Sequence, residues 1–128
     1  MHKGFLIAAA LLGALSVVLG AFAAHGLRRV LGAEQVATFE TGVRYQFYHT
    51  FALLGVGILY EKFSGGLMQW AGYCFIIGII LFSGSLYLMT ALRATESVGA
   101  NKLGIITPFG GLFFIVGWML MLIAFIRK

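Results

Sequence analysis

The sequence predicts an all-α fold: an integral membrane protein, a four-span antiparallel helical bundle with a short interfacial helix between spans 1 and 2. Three observations carry this expectation. Four apolar stretches, at about 4–25, 42–60, 67–92 and 105–126, hold no Asp or Glu in their middles. A helix rises about 1.5 Å per residue, so about 20 residues cross a hydrocarbon layer of roughly 30 Å. Two stretches meet that length, the third exceeds it, and the second falls just short unless polar residues at its start are counted. Apolar residues make up 61% of the chain and charged residues 10%. A soluble domain carries about 25% charged residues, so this chain could not coat a globular surface with polar groups. Finally, the connectors are short, and residues 1–128 are used up in one four-helix domain.

The elements follow in order. The start imitates a signal peptide, with Lys3, an apolar core and Ala21-Phe22-Ala23 as a small-residue site. Its apolar run continues to Ala24, longer than the roughly 7–15 residues of a secretory core, which favours a retained first span. In the connector 25–42, Leu27, Val30 and Leu31, then Ala33, Val36 and Ala37, recur at helical spacing between Arg28, Arg29, Glu34 and Gln35. That pattern predicts an amphipathic helix lying at the interface, broken at Gly32 and joined to span 2 at Gly42. Ser64-Gly65-Gly66 breaks the next connector into a tight turn, making spans 2 and 3 antiparallel neighbours. The connector 93–104 is polar, with Glu96, Asn101 and Lys102. Pro108 falls in the first turn of span 4, where a missing N–H is harmless.

Eighteen glycines are many for this length. Gly13 and Gly20 in span 1, and Gly110 and Gly117 in span 4, are each seven apart, and Ser16, Gly20 and Ala24 form a small-xxx-small stripe. With Gly84 and Gly111 these are the expected packing positions, because small residues let helices approach where lipid gives no hydrophobic drive. They suit packing within the bundle or self-association. Cys74 is read as a small buried hydrophobe; alone, it forms no intrachain disulfide. Trp70, Tyr60 and Tyr87 fit interfacial belts, and Trp118, mid-span, fills the bundle or faces a partner.

The net charge of +5 sits mostly at span ends. Lys3, Lys62, Arg127 and Lys128 fall on one side; Arg28, Arg29, Arg93 and Lys102, with Arg44 near the boundary, fall on the other. The distribution gives no positive-inside bias, so dual insertion stays open. These residues anchor span ends at the headgroups, and without a dense basic stripe they exclude a nucleic-acid surface.

The most informative chemistry lies where the first connector enters span 2: Glu40, Arg44, Tyr45, Gln46, Tyr48 and His49. Glu40 and Arg44 are four apart, as are Tyr45 and His49, so each pair shares a helix face. His49 lies about 10 Å along the helix from Gly42, and ionisable groups at such depth normally face the bundle interior. His25, Ser83, Ser85, Thr90 and Thr107 should reach the same membrane face, making one half of the interior polar and the other dry. The expected contacts are a Glu40–Arg44 pair at headgroup level and His49 beside Tyr45, the Ser83–Ser85 segment or a backbone carbonyl. A metal or haem site would need His25 and His49 opposed without further ligands, and an acyl-transfer centre would need Ser83 or Ser85 on His49 with no third group to orient the base. Both patterns are weak; no catalytic residue, metal or cofactor is assigned.

These residues also carry a resemblance. Gly20-Ala-Phe-Ala-Ala-His25-Gly26, Phe39 through Tyr45-Gln46-Phe-Tyr48-His49, Leu81-Phe82-Ser83-Gly84-Ser85-Leu86-Tyr87, and Thr107-Pro108-Phe109-Gly110-Gly111 with Gly117-Trp118 span nearly the whole chain. The chain resembles the small four-helix membrane proteins of unknown function that include human transmembrane protein 256 and bacterial inner-membrane relatives. Ala23 departs from the Gly found in many members, which concerns local packing only. The resemblance implies a multi-pass protein of a bacterial plasma or inner membrane, and no activity. The expected role is a non-enzymatic accessory or assembly partner, with the lipid bilayer, other membrane proteins or a second copy as partners. The rival is a small dimeric multidrug-type transporter, which the size and balanced charge suit. A proton-coupled carrier, however, needs a carboxylate within a span, and none sits deeper than Glu40.

Overall fold

The computed structural model describes residues 1–63, 65–95 and 100–127. Ser64, Glu96 and Lys128, named above for a turn, a connector and a terminal charge, lie outside the described residues. The order is α1 (Lys3–Ala24), a 3₁₀ turn (Leu27–Arg29), α2 (Ala33–Leu59), α3 (Gly66–Gly78), a π-helical segment (Ile79–Ser83), α4 (Gly84–Ala94), a short α5 (Ala100–Leu103) and α6 (Ile106–Arg127). α3, the π segment and α4 form one continuous rod. Three stretches, 3–29, 66–94 and 106–127, are long and apolar enough to cross a membrane. α2 is the fourth rod, 27 residues long and more polar.

Neighbouring rods run antiparallel. His2 N–H donates to Gly57 O at one end of the α1–α2 pair, and Gly20 meets Val43 near the other. On the third rod, Phe75 lies beside His49 and Ser83 reaches Gly42. α6 runs back along that rod, with Gly117 against Phe75 and Gly110 against Phe82. α1 packs mainly on α2, α2 on the third rod, and that rod on α6. The helices therefore form a row closed through its middle pair, and α1 and α6 share no substantial interface among the described residues.

The expected separate interfacial helix is corrected. α2 runs without a break from Ala33 through Gly42 to Leu59, and only the turn at Leu27–Arg29 precedes it. Of the apolar positions that suggested a surface helix, Leu27 and Val36 are buried and pack with Ala23, Phe39 and Val43 in a small core at this end, whereas Val30, Ala33 and Ala37 are exposed. Gly32 does end the connector, as the extended N-cap of α2. Gly42 is not a joint. A Cβ there would come within 2.8 Å of the Tyr87 ring, so the glycine serves close packing of α2 on α4.

The opposite end is dry. Phe5, Leu53, Val56, Met68, Ala71 and Phe75 fill it, each at most 2% exposed, with Ala9 beside them. Close approach here rests on glycines that were not singled out from the sequence. Gly72 takes the Phe5 ring, Gly57 takes Leu6 and Gly78 takes Phe114. Of the expected packing positions, Gly110 and Gly117 make such contacts, with the Phe82 backbone and the Phe75 ring. Gly13, Gly20 and Gly111 have ordinary van der Waals spacing, and a Cβ at Gly84 would meet open space, which corrects its assignment to packing. Ser16 is fully buried and donates to Leu12 O, whereas Ala24 is exposed and Ala23 takes the buried position on that stripe.

Candidate functional site

α2 carries the polar half of the interior because its inward face presents Gln46, His49 and Thr50, all buried. In hydrocarbon, an unsatisfied polar group costs several kcal/mol, so each needs a partner from a neighbouring rod or its own backbone.

Gln46 ties three rods. Its amide nitrogen, Nε2, donates to Leu12 O of α1 at 3.1 Å. Its Oε1 accepts from the Tyr87 hydroxyl of α4 at 2.6 Å. Leu12 O also accepts from Ser16 Oγ at 2.7 Å, so one carbonyl serves two side chains. Tyr87 therefore points inward and is not a belt residue; Gly42 leaves the space in which its ring lies.

The serines of the third rod are spent elsewhere than on His49; of the contacts expected for it, those with Tyr45 and a backbone carbonyl form and those with Ser83 and Ser85 do not. Ser83 Oγ, at the end of the π segment, donates to Gly42 O at 2.6 Å. Ser85 Oγ and Thr107 Oγ1 are 2.6 Å apart and link α4 to α6. Thr90 Oγ1 donates to Leu86 O in its own helix. Four residues of three rods, Gly42, Ser83, Ser85 and Thr107, thus lie at one level near this end.

His49 lies deeper and is clasped by α6. The Trp118 indole N–H donates to His49 Nε2 at 3.1 Å, and the other ring nitrogen, Nδ1, lies 2.7 Å from Tyr45 O. Because Nε2 accepts, Nδ1 must carry the proton and donate to that carbonyl, which fixes a neutral imidazole in the Nδ1–H tautomer. The ring stacks on Phe114 with centroids 3.5 Å apart and planes 6° from parallel. Phe75 and the Trp118 ring close the remaining sides. A mid-span tryptophan N–H needs an acceptor. His49 was the available imidazole, so this pairing had a signal in the sequence that spacing within one helix could not reveal.

Outside the clasp, α2 and α6 part to leave a cavity of about 480 Å³ lined by Tyr45, His49, Pro108, Gly111, Leu112, Phe114, Ile115 and Trp118. Its walls are largely apolar and aromatic. Thr50 Oγ1 is the buried side-chain polar atom without a partner among the described residues.

The remaining predicted site residues lie apart from this cluster. His25 is exposed beyond the end of α1, its backbone N–H bonded to Ala21 O, and it is not brought against His49. Glu40 pairs with Arg28 at 3.6 Å rather than with Arg44. The 3₁₀ turn folds Arg28 back beside α2, and helical spacing alone did not foresee that competitor. Arg44 is exposed and has no ion pair among the described residues. His2, not singled out beforehand, caps α1: its Nδ1 accepts from Phe5 N–H at 3.0 Å. Its ring stacks on Phe5. No group of three or more His, Cys, Asp or Glu with metal-binding geometry occurs among the described residues.

Comparison with known proteins agrees with the membrane reading. Residues 19–111 match the family described as "Protein of unknown function (DUF423)". The UPF0382 membrane protein YwdK of Bacillus subtilis is 39% identical over 126 residues, covering 98% of each chain. The UPF0382 membrane protein SSP2132 of Staphylococcus saprophyticus is 41% identical over 121 residues, covering 94% of this chain and 95% of its own. The UPF0382 inner membrane protein YgdD of Escherichia coli K12 is 37% identical over 122 residues, covering 95% of this chain and 88% of its own. No solved structure gives a significant match. The chain is an all-helical integral membrane protein and belongs to this family of bacterial membrane proteins of unknown function.

Proposed function

We propose that this protein is a non-enzymatic accessory or assembly partner of other membrane proteins, crossing the bilayer four times with its polar interior used to lock the rods together. The observation that carries the reading is the one-sided use of α1. Of its 22 residues, Phe5, Ala9, Ser16 and Ala23 are buried. Ala10, Ala14 and Ala21 recur four and seven apart on a different face and are all exposed. Such a stripe lets another helix approach closely in lipid, and the row architecture leaves it uncovered by α6.

The interior supports the same reading. Gln46, His49, Ser83 and Ser85 each spend their polar atoms on hydrogen bonds that hold rods or backbone in place. Neither serine is bonded to His49, so the nucleophile–base pair of an acyl-transfer centre is not assembled. A carrier driven by protons would want a carboxylate among the rods; of the described acids, Glu34 and Glu40 lie toward the start of α2 and Glu61 beyond its end.

The test is partner recovery in mild detergent, followed by mass spectrometry, for the wild type and for Ala14→Leu. The variant should remain folded because its side chain faces outward, yet lose a partner that the wild type retains. Retention of the same partners by Ala14→Leu and by Ala21→Leu would remove the α1 face from the proposal.

A further inference from the structure

The lipid-facing stripe of α2 carries a polar group at a depth where lipid offers it nothing. Arg44, Tyr48, Phe51, Gly55 and Ile58 recur four, three, four and three apart, which sets them in one narrow band along the helix. Arg44, Tyr48, Phe51 and Ile58 are exposed, and Gly55 is half-buried. α1 packs on one flank of the band, at Val43 and Thr50, and α6 on the other, at His49. Neither covers it. The register with α1 gives the depth of each residue. A Cβ on Gly13 would touch the Thr50 methyl, and one on Gly20 would touch Val43. α1 runs for 22 residues from Lys3 to Ala24, so its middle, and with it Thr50, lies at about the centre of the bilayer.

Tyr48 stands two residues, about 3 Å, from that centre. Helical side chains lean toward the N-terminus of their helix, and the Tyr48 ring meets the Tyr45 ring on that side, with centroids 5.6 Å apart. A lean of one helical turn, about 5.4 Å, leaves the hydroxyl about 8 Å from the centre, well inside a half-layer of about 15 Å. It has no hydrogen bond among the described residues. A hydroxyl in hydrocarbon needs a partner, and this one must come from outside the fold. Gly55 lies about 7.5 Å from the centre on the other side. A Cβ there would meet nothing, so packing within the chain does not call for the glycine, which weakens a helix relative to alanine. Phe51 lies between them, within about 2 Å of the centre. Turned over, the stripe therefore sets the gap at Gly55 level with the Tyr48 hydroxyl and Phe51 opposite Phe51. Arg44 decides the direction. It lies about 9 Å from the centre and has no ion pair among the described residues. Parallel copies would bring the two arginines together at a helix spacing of about 8–10 Å, in surroundings where like charges repel strongly. Inverted copies hold them about 18 Å apart along the membrane normal. Each aliphatic stem then passes the other copy's Ile58, with its guanidinium extended to the headgroups. The even spread of Lys and Arg over the two faces allows insertion both ways.

We propose that this stripe of α2 docks a second copy of the chain, inserted the opposite way, about a twofold axis near Phe51. Each Tyr48 hydroxyl enters the gap at the other copy's Gly55 and donates to a backbone carbonyl there, which has a second lone pair to accept it. The twofold axis makes the contact twice. The inference does not rest on the partner role assigned to α1, because it concerns another helix face.

The test is oxidative cysteine crosslinking of the full chain in bacterial membranes, in a Cys74→Ala background that removes the native thiol. Phe51→Cys, near the axis, should give a disulfide-linked dimer. Ile58→Cys should give none, because inversion sets the two positions about 24 Å apart along the membrane normal. Gly55→Leu fills the gap without meeting anything in its own chain, so it should keep the helical circular dichroism spectrum and abolish the Phe51→Cys link. Tyr48→Phe, which keeps the ring, serves should Gly55→Leu fail to fold. It should weaken dimerisation in detergent about eightfold, the loss of two average hydrogen bonds between membrane helices. Links at both 51 and 58 would show a parallel dimer and overturn the proposal. A folded Phe51→Cys chain that stays monomeric, or that links to a different protein, would also overturn it. So would a Phe51→Cys link unchanged by folded Gly55→Leu, or dimerisation unchanged by Tyr48→Phe.

Discussion

Replacing Trp118 with Phe removes the donor to His49 Nε2 while keeping an aromatic ring on α6. The bond is 3.1 Å long, and the imidazole that accepts it is 5% exposed, so water cannot replace the lost donor. Side-chain hydrogen bonds between membrane helices average about 0.6 kcal/mol, with a maximum near 1.7, whereas a buried acceptor left unpaired costs about 1–3 kcal/mol. The burial of His49 favours the upper part of the first range, giving an expected loss of about 1–2 kcal/mol. His49→Phe should preserve the stack on Phe114, whose centroid separation is 3.5 Å. It leaves no orphan at Tyr45 O, which still accepts a helical N–H, but strands the Trp118 N–H. The double variant strands neither group, so it should lose less than the two single variants summed. Reversible unfolding in mixed micelles over increasing dodecyl sulfate, followed by circular dichroism, measures all four proteins. Coupling of about 0.5–1.5 kcal/mol is expected; additive losses would refute the clasp.

Gln46→Leu should destabilise by about 1–3 kcal/mol in the same assay, because the Tyr87 hydroxyl loses its acceptor inside the bundle. Adding Tyr87→Phe should restore part of that loss. Gly110→Ala should be strongly destabilising, since its Cβ would meet the Phe82 backbone, which cannot swing away. Gly84→Ala, toward open space, should be neutral or gain about 0.5–1 kcal/mol from helix propensity. At the opposite end, the Met1 ammonium lies 2.7 Å from Glu61 Oε1, and hydrogen bonding and attraction to it hold that carboxyl below its ordinary range. A lowered folded-state pKa stabilises above the ordinary carboxylate range and loses that contribution as pH falls through it. Unfolding midpoints of wild type and Glu61→Gln should therefore converge in acid, with only a small difference at neutral pH because the pair is exposed.

What the sequence revealed and what it concealed divide along one physical line. Apolar length and connector length gave the rods and their alternating direction, because these depend on bilayer thickness and chain reach. The inward polar face of α2 was also legible, since buried polar side chains must be satisfied. Partners across rods were not. His49 was expected near Ser83 and Ser85, but the rotation of the third rod spends those hydroxyls on Gly42 O and Thr107. The periodic apolar positions of residues 33–37 could serve a surface helix or a buried end; Val36 packs with Phe39 against Ala23 and Leu27, while Ala33 and Ala37 stay exposed. Glycines were legible as a class but not one by one. Gly72 and Gly84 look alike in sequence, yet one receives the Phe5 ring and the other faces open space.

The most direct test of the accessory role is in-membrane photocrosslinking from position 14, with a photoreactive amino acid in place of Ala14 in the full chain at native expression. The account predicts one dominant crosslinked membrane protein, lost when Ala21→Leu is added and unaffected by His49→Phe. Crosslinks to lipid alone, together with a transport or catalytic activity of the purified protein that His49→Phe abolishes, would contradict it.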